Sequence, residues 1–421
     1  MKKSRRAVFV CCDGLGRDWV RRETTPVLHD LGRNSLWCDA HTAVFPSVTR
    51  VSAASVSTGC LPGRHGLHGN RMGLLERGRI VVRDVGHPDF RTHMRRATGR
   101  TLLVPSLAER VAGVGGFIAF SNVSPGAAYF LDPDHFGYVY HRAGSYAPNG
   151  EPIASADALD VSHDLAGDWA MTQRFCAEVL GDRRPTAAIL WLANPDLTLH
   201  GVPLGSPEHH DALGQTERCV LEVFRTIEGL RDGGEEILLL VGSDHGQETI
   251  GACIDLSVWL VAHGLGGELE AGEVAVAGQG TAALLYATDR GRGRLLGVLD
   301  EMRSAPWADE IVVEGDLARR GHAARGGVVA AVNMARQDNT NAYGIRGRRY
   351  VAAEPDKPAA IGSGQHGGWG TDETRPFLIA NDGRSSGTAG RPTSLVDIAP
   401  TIVRFLGLPV EGFDGAPLPL D

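Results

Sequence analysis

Ala7-Val-Phe-Val-Cys-Cys-Asp13-Gly14 is a run of six apolar residues that stops at a carboxylate and a glycine. A short continuous apolar run closed by a turn signal reads as a strand buried on both faces. Two further runs follow the same pattern. Ala188-Ile-Leu-Trp-Leu-Ala193 precedes Asp196 and His200, and Ile237-Leu-Leu-Leu-Val-Gly242 precedes Asp244-His245-Gly246. The pattern predicts central strands over 6–12, 117–121, 187–193 and 236–242. Between them lie segments of helical period: Leu213 to Leu230 is amphipathic and ends at Gly233-Gly234, and Ser394 to Leu406 reads as a late helix with Ser394 as its N-cap. Alternation of this kind predicts an α/β fold, a central mostly parallel sheet with helices on both faces.

The stretch 266–361 breaks the rhythm with short β-like pieces (Val274–Ala277, Ala282–Tyr286, Val328–Val332) and many Gly and Arg. It is expected to be a smaller inserted α+β cap. The catalytic core would then comprise residues 1–265 and 362–421.

The 421 residues suffice for one large α/β domain with a cap, and 43% hydrophobic with 22% charged residues is ordinary globular composition. A net charge of −8 argues against a nucleic-acid polymer as partner, because phosphate backbones demand concentrated Lys and Arg. It does not exclude a small anionic substrate, since bound divalent ions would invert the local charge. The seven cysteines are scattered, with no Cys-x-x-Cys pair, and read as reduced small hydrophobes. Met1-Lys-Lys-Ser-Arg-Arg6 mimics the basic start of a signal peptide, but the apolar run after it ends at Asp13. No stretch approaches the roughly 20 apolar residues that span a bilayer. A cytoplasmic protein away from membranes is the expectation.

Asp13, Asp196 and Asp244 supply three carboxylates, and His200, His245 and His366 three imidazoles; His366 lies in Ser363-Gly-Gln-His366-Gly-Gly-Trp-Gly370. Each stands beside glycine or past an apolar run, where open α/β sheets place their sites. The set suits two divalent ions and metal-assisted hydrolysis at phosphorus or sulfur. Phe45-Pro-Ser-Val-Thr49 turns into a helix of small residues, which puts Thr49 at a helix N-terminus. An anion or an alkoxide is favoured there. A plain N-cap is the alternative for Thr49; with the six ligands present, the nucleophile is preferred. Cys60-Leu-Pro-Gly-Arg64 spells the Cys-x-Pro-x-Arg pattern of sulfatases, but Cys60 follows the Thr58-Gly59 pair instead of preceding it by ten residues. That position belongs to Thr49, and the sulfatase reading fails on register.

Thr58-Gly-Cys-Leu-Pro-Gly-Arg-His-Gly-Leu-His-Gly-Asn70, taken with Asp13, Thr49 and the ligand set, resembles the alkaline phosphatase superfamily. The likeness is to the branch of nucleotide pyrophosphatase/phosphodiesterases and phosphonoacetate hydrolase. The resemblance implies one zinc held by Asp13, Thr49, Asp244 and His245, and a second by Asp196, His200 and His366; manganese or iron also suits such donors. It implies that Asn70 hydrogen-bonds a phosphoryl oxygen. The implied activity is hydrolysis of phosphoric diesters or pyrophosphates through a phospho-threonine. The partner would be a small anionic phosphorus compound. A phosphonate C–P hydrolase and a phosphomonoesterase on the same scaffold are the alternatives, ahead of an inactive binding protein. Lysines serve the carboxylate in the phosphonoacetate enzyme, and this chain has only Lys2, Lys3 and Lys357. Arg50 stands open between a substrate contact and solvent. Arg336 and the Arg346-Gly-Arg-Arg349 cluster stand open between a second anionic group and a solvated face. His65 and His68 are expected to be structural, and His209 and His210 solvated.

Overall fold

A computed structural model describes residues 5–355 and 358–420. All three lysines fall outside those residues, as does most of the basic start, Met1 to Ser4. The main sheet has eight strands, five of them parallel in the order Tyr138–His141, Phe117–Ser121, Ala187–Leu192, Arg5–Cys12 and Glu236–Gly242. Leu378–Asn381 adds antiparallel to Glu236–Gly242, and two short strands, Leu36–Trp37 and Gly387–Thr388, finish that edge.

Period-two alternation divides the strand residues between two cores. Phe9, Cys11, Ile189, Trp191, Leu238 and Leu240 pack on one face, beneath the helices Thr49–Thr58 and Ile398–Phe405. Val8, Val10, Leu190, Leu192, Leu239 and Val241 pack on the other, against Pro207–Asp232 and Leu165–Arg174. The late helix begins as predicted, with Ser394 and Asp397 closing a capping box.

Within 266–361 a second, antiparallel sheet forms in the order Val274–Gly278, Ala282–Ala287, Val328–Met334, Ala308–Val313, backed by the helix Asp289–Arg303. Its other face meets Phe45 and Ile80, the latter from the hairpin Arg71–Glu76 and Arg79–Asp84. Arg346–Ala352 pairs in parallel with Glu248–Ile254, which also pairs with Gly364–Gln365. The stretch after Asp244-His245 and the stretch before His366 are thereby stitched into one ladder.

His209 departs from expectation. It is buried, its Nδ1 accepts from the Gly205 N–H at 2.9 Å, and its ring lies 4.3 Å from that of Trp19. The helix that begins at Pro207 lays this residue on its inner face, a placement that local polarity does not reveal. His41, His65, His141 and His322 are buried too. Burial holds all five imidazoles neutral, pushing His41, His65 and His209 down to about 3 and His141 and His322 to about 4. An unfolded histidine titrates near 6.5, so their stabilising contribution is complete above that pH and is lost as pH falls toward the folded values. Each should cost on the order of 1 kcal/mol over the first pH unit below 6.5. Denaturant midpoints measured between about pH 7.5 and pH 5.5 should report uptake of several protons on unfolding; a slope of one proton or none would contradict this.

Candidate active site

Three neighbouring parallel strands, Arg5–Cys12, Ala187–Leu192 and Glu236–Gly242, deliver Asp13, Asp196 and Asp244 to the carboxyl end of the sheet. Gly14 makes their approach close: its φ is +70°, and a Cβ there would lie 2.8 Å from Asp196 Cβ. The Asp196 N–H donates to Asp13 O at 3.0 Å, and the Gly14 N–H to Asp244 Oδ1 at 3.1 Å. Asp13 Oδ2 accepts from Trp191 Nε1 at 2.8 Å. The other carboxylate oxygens, Asp13 Oδ1 and Asp244 Oδ2, are buried without a hydrogen-bond partner and lie 3.5 and 3.3 Å from His245 Nε2. Orphaned buried carboxylate oxygens are costly, and a cation between them would relieve the cost.

Thr49 opens the helix Thr49–Thr58, all ten residues of which are buried. Its Oγ1 lies 3.3 Å from His245 Nε2. Ser47, two residues before, laces this turn to the loop of His366: the Ser47 N–H donates to Gly367 O, Ser47 Oγ donates to Gly368 O, and the Gly367 N–H donates back to Ser47 Oγ. Gly367 is required there, because with φ at +132° a Cβ would fall 1.5 Å from Gln279 O.

The two innermost imidazoles are oriented so that each could hold a cation through Nε2. A carbonyl oxygen only accepts, so His366 Nδ1, 2.7 Å from Ser47 O, carries the proton. His245 Nδ1 does the same toward Gly246 O at 3.0 Å. In the neutral ring each Nε2 then keeps a free lone pair aimed at the carboxylates, the arrangement that carbonyl partners impose on metal-binding histidines. The two rings stack with centroids 3.5 Å apart. Burial, followed by the neighbouring His245, pushes His366 well below the ordinary imidazole range. Burial and the adjacent Asp244 push Asp13 well above the carboxylate range. Asp196 is lowered: burial opposes ionisation, but His200 and His366 outweigh it.

Two triads bring their donor atoms within 4.8 Å of one another: Asp13, Asp244 and His245, and Asp196, His245 and His366. His245 thus stands between them, and His200 reaches Asp196 Oδ2 from the outer side at 3.3 Å. A cleft of about 340 Å³ opens beside these groups, lined by Val48, Asn70, His200 and His366 among others. Asn70 Oδ1 accepts from the Arg50 N–H at 3.3 Å, and its own N–H donates to Gln279 Oε1 at 2.7 Å. Its Nδ2 is the donor left for a ligand.

Residues 7–336 match the family described as type I phosphodiesterase / nucleotide pyrophosphatase. The chain belongs to this family. Solved structures similar to it include murine ectonucleotide pyrophosphatase / phosphodiesterase 5 in an inactive variant with AMP, at 14% identity, TM-score 0.67, and coverage of 98% of this chain and 97% of that one. The human counterpart is 15% identical with the same score and coverage. Phosphonoacetate hydrolase from Sinorhizobium meliloti, with phosphonoformate, is 17% identical, TM-score 0.67, over 96% of both chains. No curated protein matches. The α/β architecture is that of the alkaline phosphatase superfamily, and membership makes the chain a phosphoryl hydrolase.

Several side chains around the site of this phosphodiesterase-family member resolve what the motifs left open. Arg50 is buried and is not among the residues lining the cleft; it pairs with Asp84 and donates to Asn70 O at 2.8 Å and to Ser124 Oγ at 3.2 Å. It ties the start of the Thr49 helix to the hairpin. Arg349 is buried between Glu248 and Glu373, Arg336 pairs with Asp372 at 3.0 Å, and Arg346 pairs with Asp338. None of the three lines the cleft. Cys60, past the far end of a helix about 15 Å long, is buried with Sγ toward Gly412 O.

Sequence reasoning overlooked Trp191, Gln247 and Asp168. Gln247 Nε2 donates to Asp196 Oδ1. Asp168 accepts from the backbone N–H groups of Ala193 and Asn194 and from the side chains of Asn194 and Asn122, which holds the segment that carries Asp196. Trp191 had one signal: an indole N–H inside an otherwise aliphatic strand needs an acceptor. Replacing it with phenylalanine should weaken metal retention by about 10–100-fold in competition with a chelator, with kcat kept at saturating metal. Unchanged affinity in W191F would remove its orienting role.

Proposed function

We propose that the chain hydrolyses phosphoric diesters or pyrophosphates in two in-line displacements, with Thr49 as nucleophile and two divalent cations, zinc in first place, as cofactors. The observation that carries this is Thr49 Oγ1 at the head of a buried helix, 3.3 Å from His245 Nε2 and beside the orphaned oxygens of Asp13 and Asp244. Asp13, Asp244, His245 and Thr49 would hold one ion; Asp196 and His366, with His200 on the outer side, would hold the other. When bound, the ions supply positive charge for the phosphoryl oxygens and lower the pKa of a hydroxyl or water.

The residues do the rest. Thr49 Oγ1 gives up its proton, which passes to solvent or to the departing oxygen, and the positive end of its helix favours the alkoxide. The Oγ1–P bond forms as the P–O bond to the leaving alcohol or phosphate breaks opposite it. Asn70 Nδ2 donates to a phosphoryl oxygen as charge develops there. Water then attacks phosphorus, the P–Oγ1 bond breaks, and Thr49 regains its proton.

Two features favour a diester over the alternatives. The cleft of about 340 Å³ that begins at Val48 and His366, next to the nucleophile, could take a second substituent. Among the described residues no lysine or arginine lines it, so no described basic side chain is placed to meet a phosphonate carboxylate there. The free cysteines support a reducing, cytoplasmic setting, and no described helix is long and apolar enough to cross a membrane. The test is turnover of a diester and a monoester of the same phenol by zinc-loaded protein. A diester preference of about tenfold or more is expected, with Asn70→Ala lowering kcat about 100-fold. A monoester preference would overturn the diester assignment.

A further inference from the structure

Arg336 and Arg346, which do not line the cleft beside Thr49, line a second cavity of about 330 Å³. Three segments meet there. The loop after the strand Arg5–Cys12 brings Arg17, Asp18 and Arg21. The hairpin of Arg336–Thr340 and Arg346–Ala352 brings the two arginines, and Asn341 Nδ2 pins its turn to Leu204 O at 2.8 Å. Asp372 and Arg375 come from the segment ahead of Leu378–Asn381, where Arg375 O accepts from the Arg17 N–H at 2.7 Å. Gln247 joins the cavity to the active site: it lies in the cavity wall, and its Nε2 donates to Asp196 Oδ1.

Five arginines and two aspartates are among the described residues of this lining. Arg336 is held by Asp372 at 3.0 Å and Glu248 at 3.6 Å, and Arg346 by Asp338. Arg375 has only Asp18, at 4.0 Å, the outer limit of an ion pair, and Arg17 and Arg21 have no described carboxylate within that distance. Positive charge is in surplus. Burial, and after it the charge of Arg375, lowers the Arg17 pKa from its usual value. Gln247 is more than nine-tenths buried, and its Oε1 has no hydrogen-bond partner.

We propose that this cavity is a second anion site, which takes inorganic phosphate independently of the cluster at Thr49. A guanidinium presents a planar fork of N–H donors that matches two oxygens of a phosphate at once. An anion between Arg17 and Arg375 relieves the repulsion of two like charges that lack counter-ions. Inorganic phosphate also keeps a P–OH donor at neutral pH, the complement of an unpartnered amide oxygen such as Gln247 Oε1. Its place is one side chain away from Asp196.

Equilibrium dialysis of radiolabelled phosphate against metal-loaded protein, at low ionic strength and about pH 8, tests this. The wild type should bind one phosphate per chain more than a variant carrying Arg17→Gln and Arg375→Gln, whatever the metal cluster itself binds. That difference keeps the proposal apart from the hydrolase reading, since a cluster that takes no phosphate lowers both counts equally. Equal counts overturn the proposal. Should the double variant fail to fold, Arg346→Gln replaces it: this side chain is exposed and its loss should weaken the additional phosphate about threefold. Binding unchanged in R346Q then overturns the proposal. Competition identifies the ligand. Sulfate and glycerol phosphate carry no P–OH near pH 8 and should displace the additional phosphate about tenfold less well than unlabelled phosphate does. Equal displacement by either, or displacement by chloride at matched ionic strength, overturns the assignment to inorganic phosphate.

Discussion

Thr49→Ala is expected to lower kcat toward a phosphodiester by about four orders of magnitude or more while the protein stays folded and metal-bound. Removing a covalent nucleophile from a preorganised site typically costs on that scale, and other groups at the site do not make up the loss. The side chain is small, and its removal leaves the helix start in place, because Val48 and the Ser47 contacts to Gly367 and Gly368 hold the turn. Asp13, Asp244 and His245 remain to bind an ion, so metal content should change little. Thr49→Ser keeps the hydroxyl at the same position on the helix and should recover most of the activity, within about 100-fold of wild type. The pair separates a nucleophile from a cap. A capping or packing role would let alanine act at a modest cost in stability, on the order of 1 kcal/mol, with kcat nearly intact. Activity in T49A within tenfold of wild type would remove Thr49 from the mechanism.

Stripping the protein with a chelator is expected to abolish turnover and to lower Tm substantially. The reason lies in the orphaned oxygens: Asp13 Oδ1 and Asp244 Oδ2 are buried with no partner. Burial, and after it the charge of Asp244, pushes Asp13 well above its usual range. An ion that binds only the folded state stabilises it by about 4 kcal/mol at a thousandfold excess over its Kd. With an unfolding entropy of about 2 cal/mol/K per residue, a chain of this length gains roughly 5 °C per occupied site. Two sites should give about twice that, restored on adding zinc. His366→Ala should reduce the metal stoichiometry by one ion, since His366 belongs only to the triad with Asp196. Full activity in the presence of excess chelator, with an unchanged Tm, would contradict a metal-dependent site.

How much of this was legible varies by residue. The runs at 117–121 and 236–242 coincide with Phe117–Ser121 and Glu236–Gly242, and those at 6–12 and 187–193 differ from Arg5–Cys12 and Ala187–Leu192 by one residue. Buried parallel strands announce themselves, because both faces must be apolar and the run must end where the chain turns. The same logic drew attention to Asp13, Asp196 and Asp244, which lie at those ends and which the fold brings together. Tyr138–His141 escaped because an edge strand of four residues carries little pattern. The register of Thr249 beside Arg348 joins segments nearly a hundred residues apart, and local periodicity holds no trace of it. Arg50 was unreadable for the same reason: its partner, Asp84, lies on a hairpin that only the fold brings near. Trp191 beside Asp13 and Asp168 beneath Asn194 are likewise contacts between distant segments. They orient the groups that the motifs name, and they leave no motif of their own.

The stereochemical course at phosphorus tests the central claim most directly. A phosphorothioate diester chiral at phosphorus would be hydrolysed in isotopically labelled water, and the configuration of the product determined. Two successive in-line displacements, the first by Thr49 Oγ1 and the second by water, invert the centre twice and give net retention. Net inversion would mean that water attacks the substrate in a single step and that Thr49 never carries the phosphoryl group.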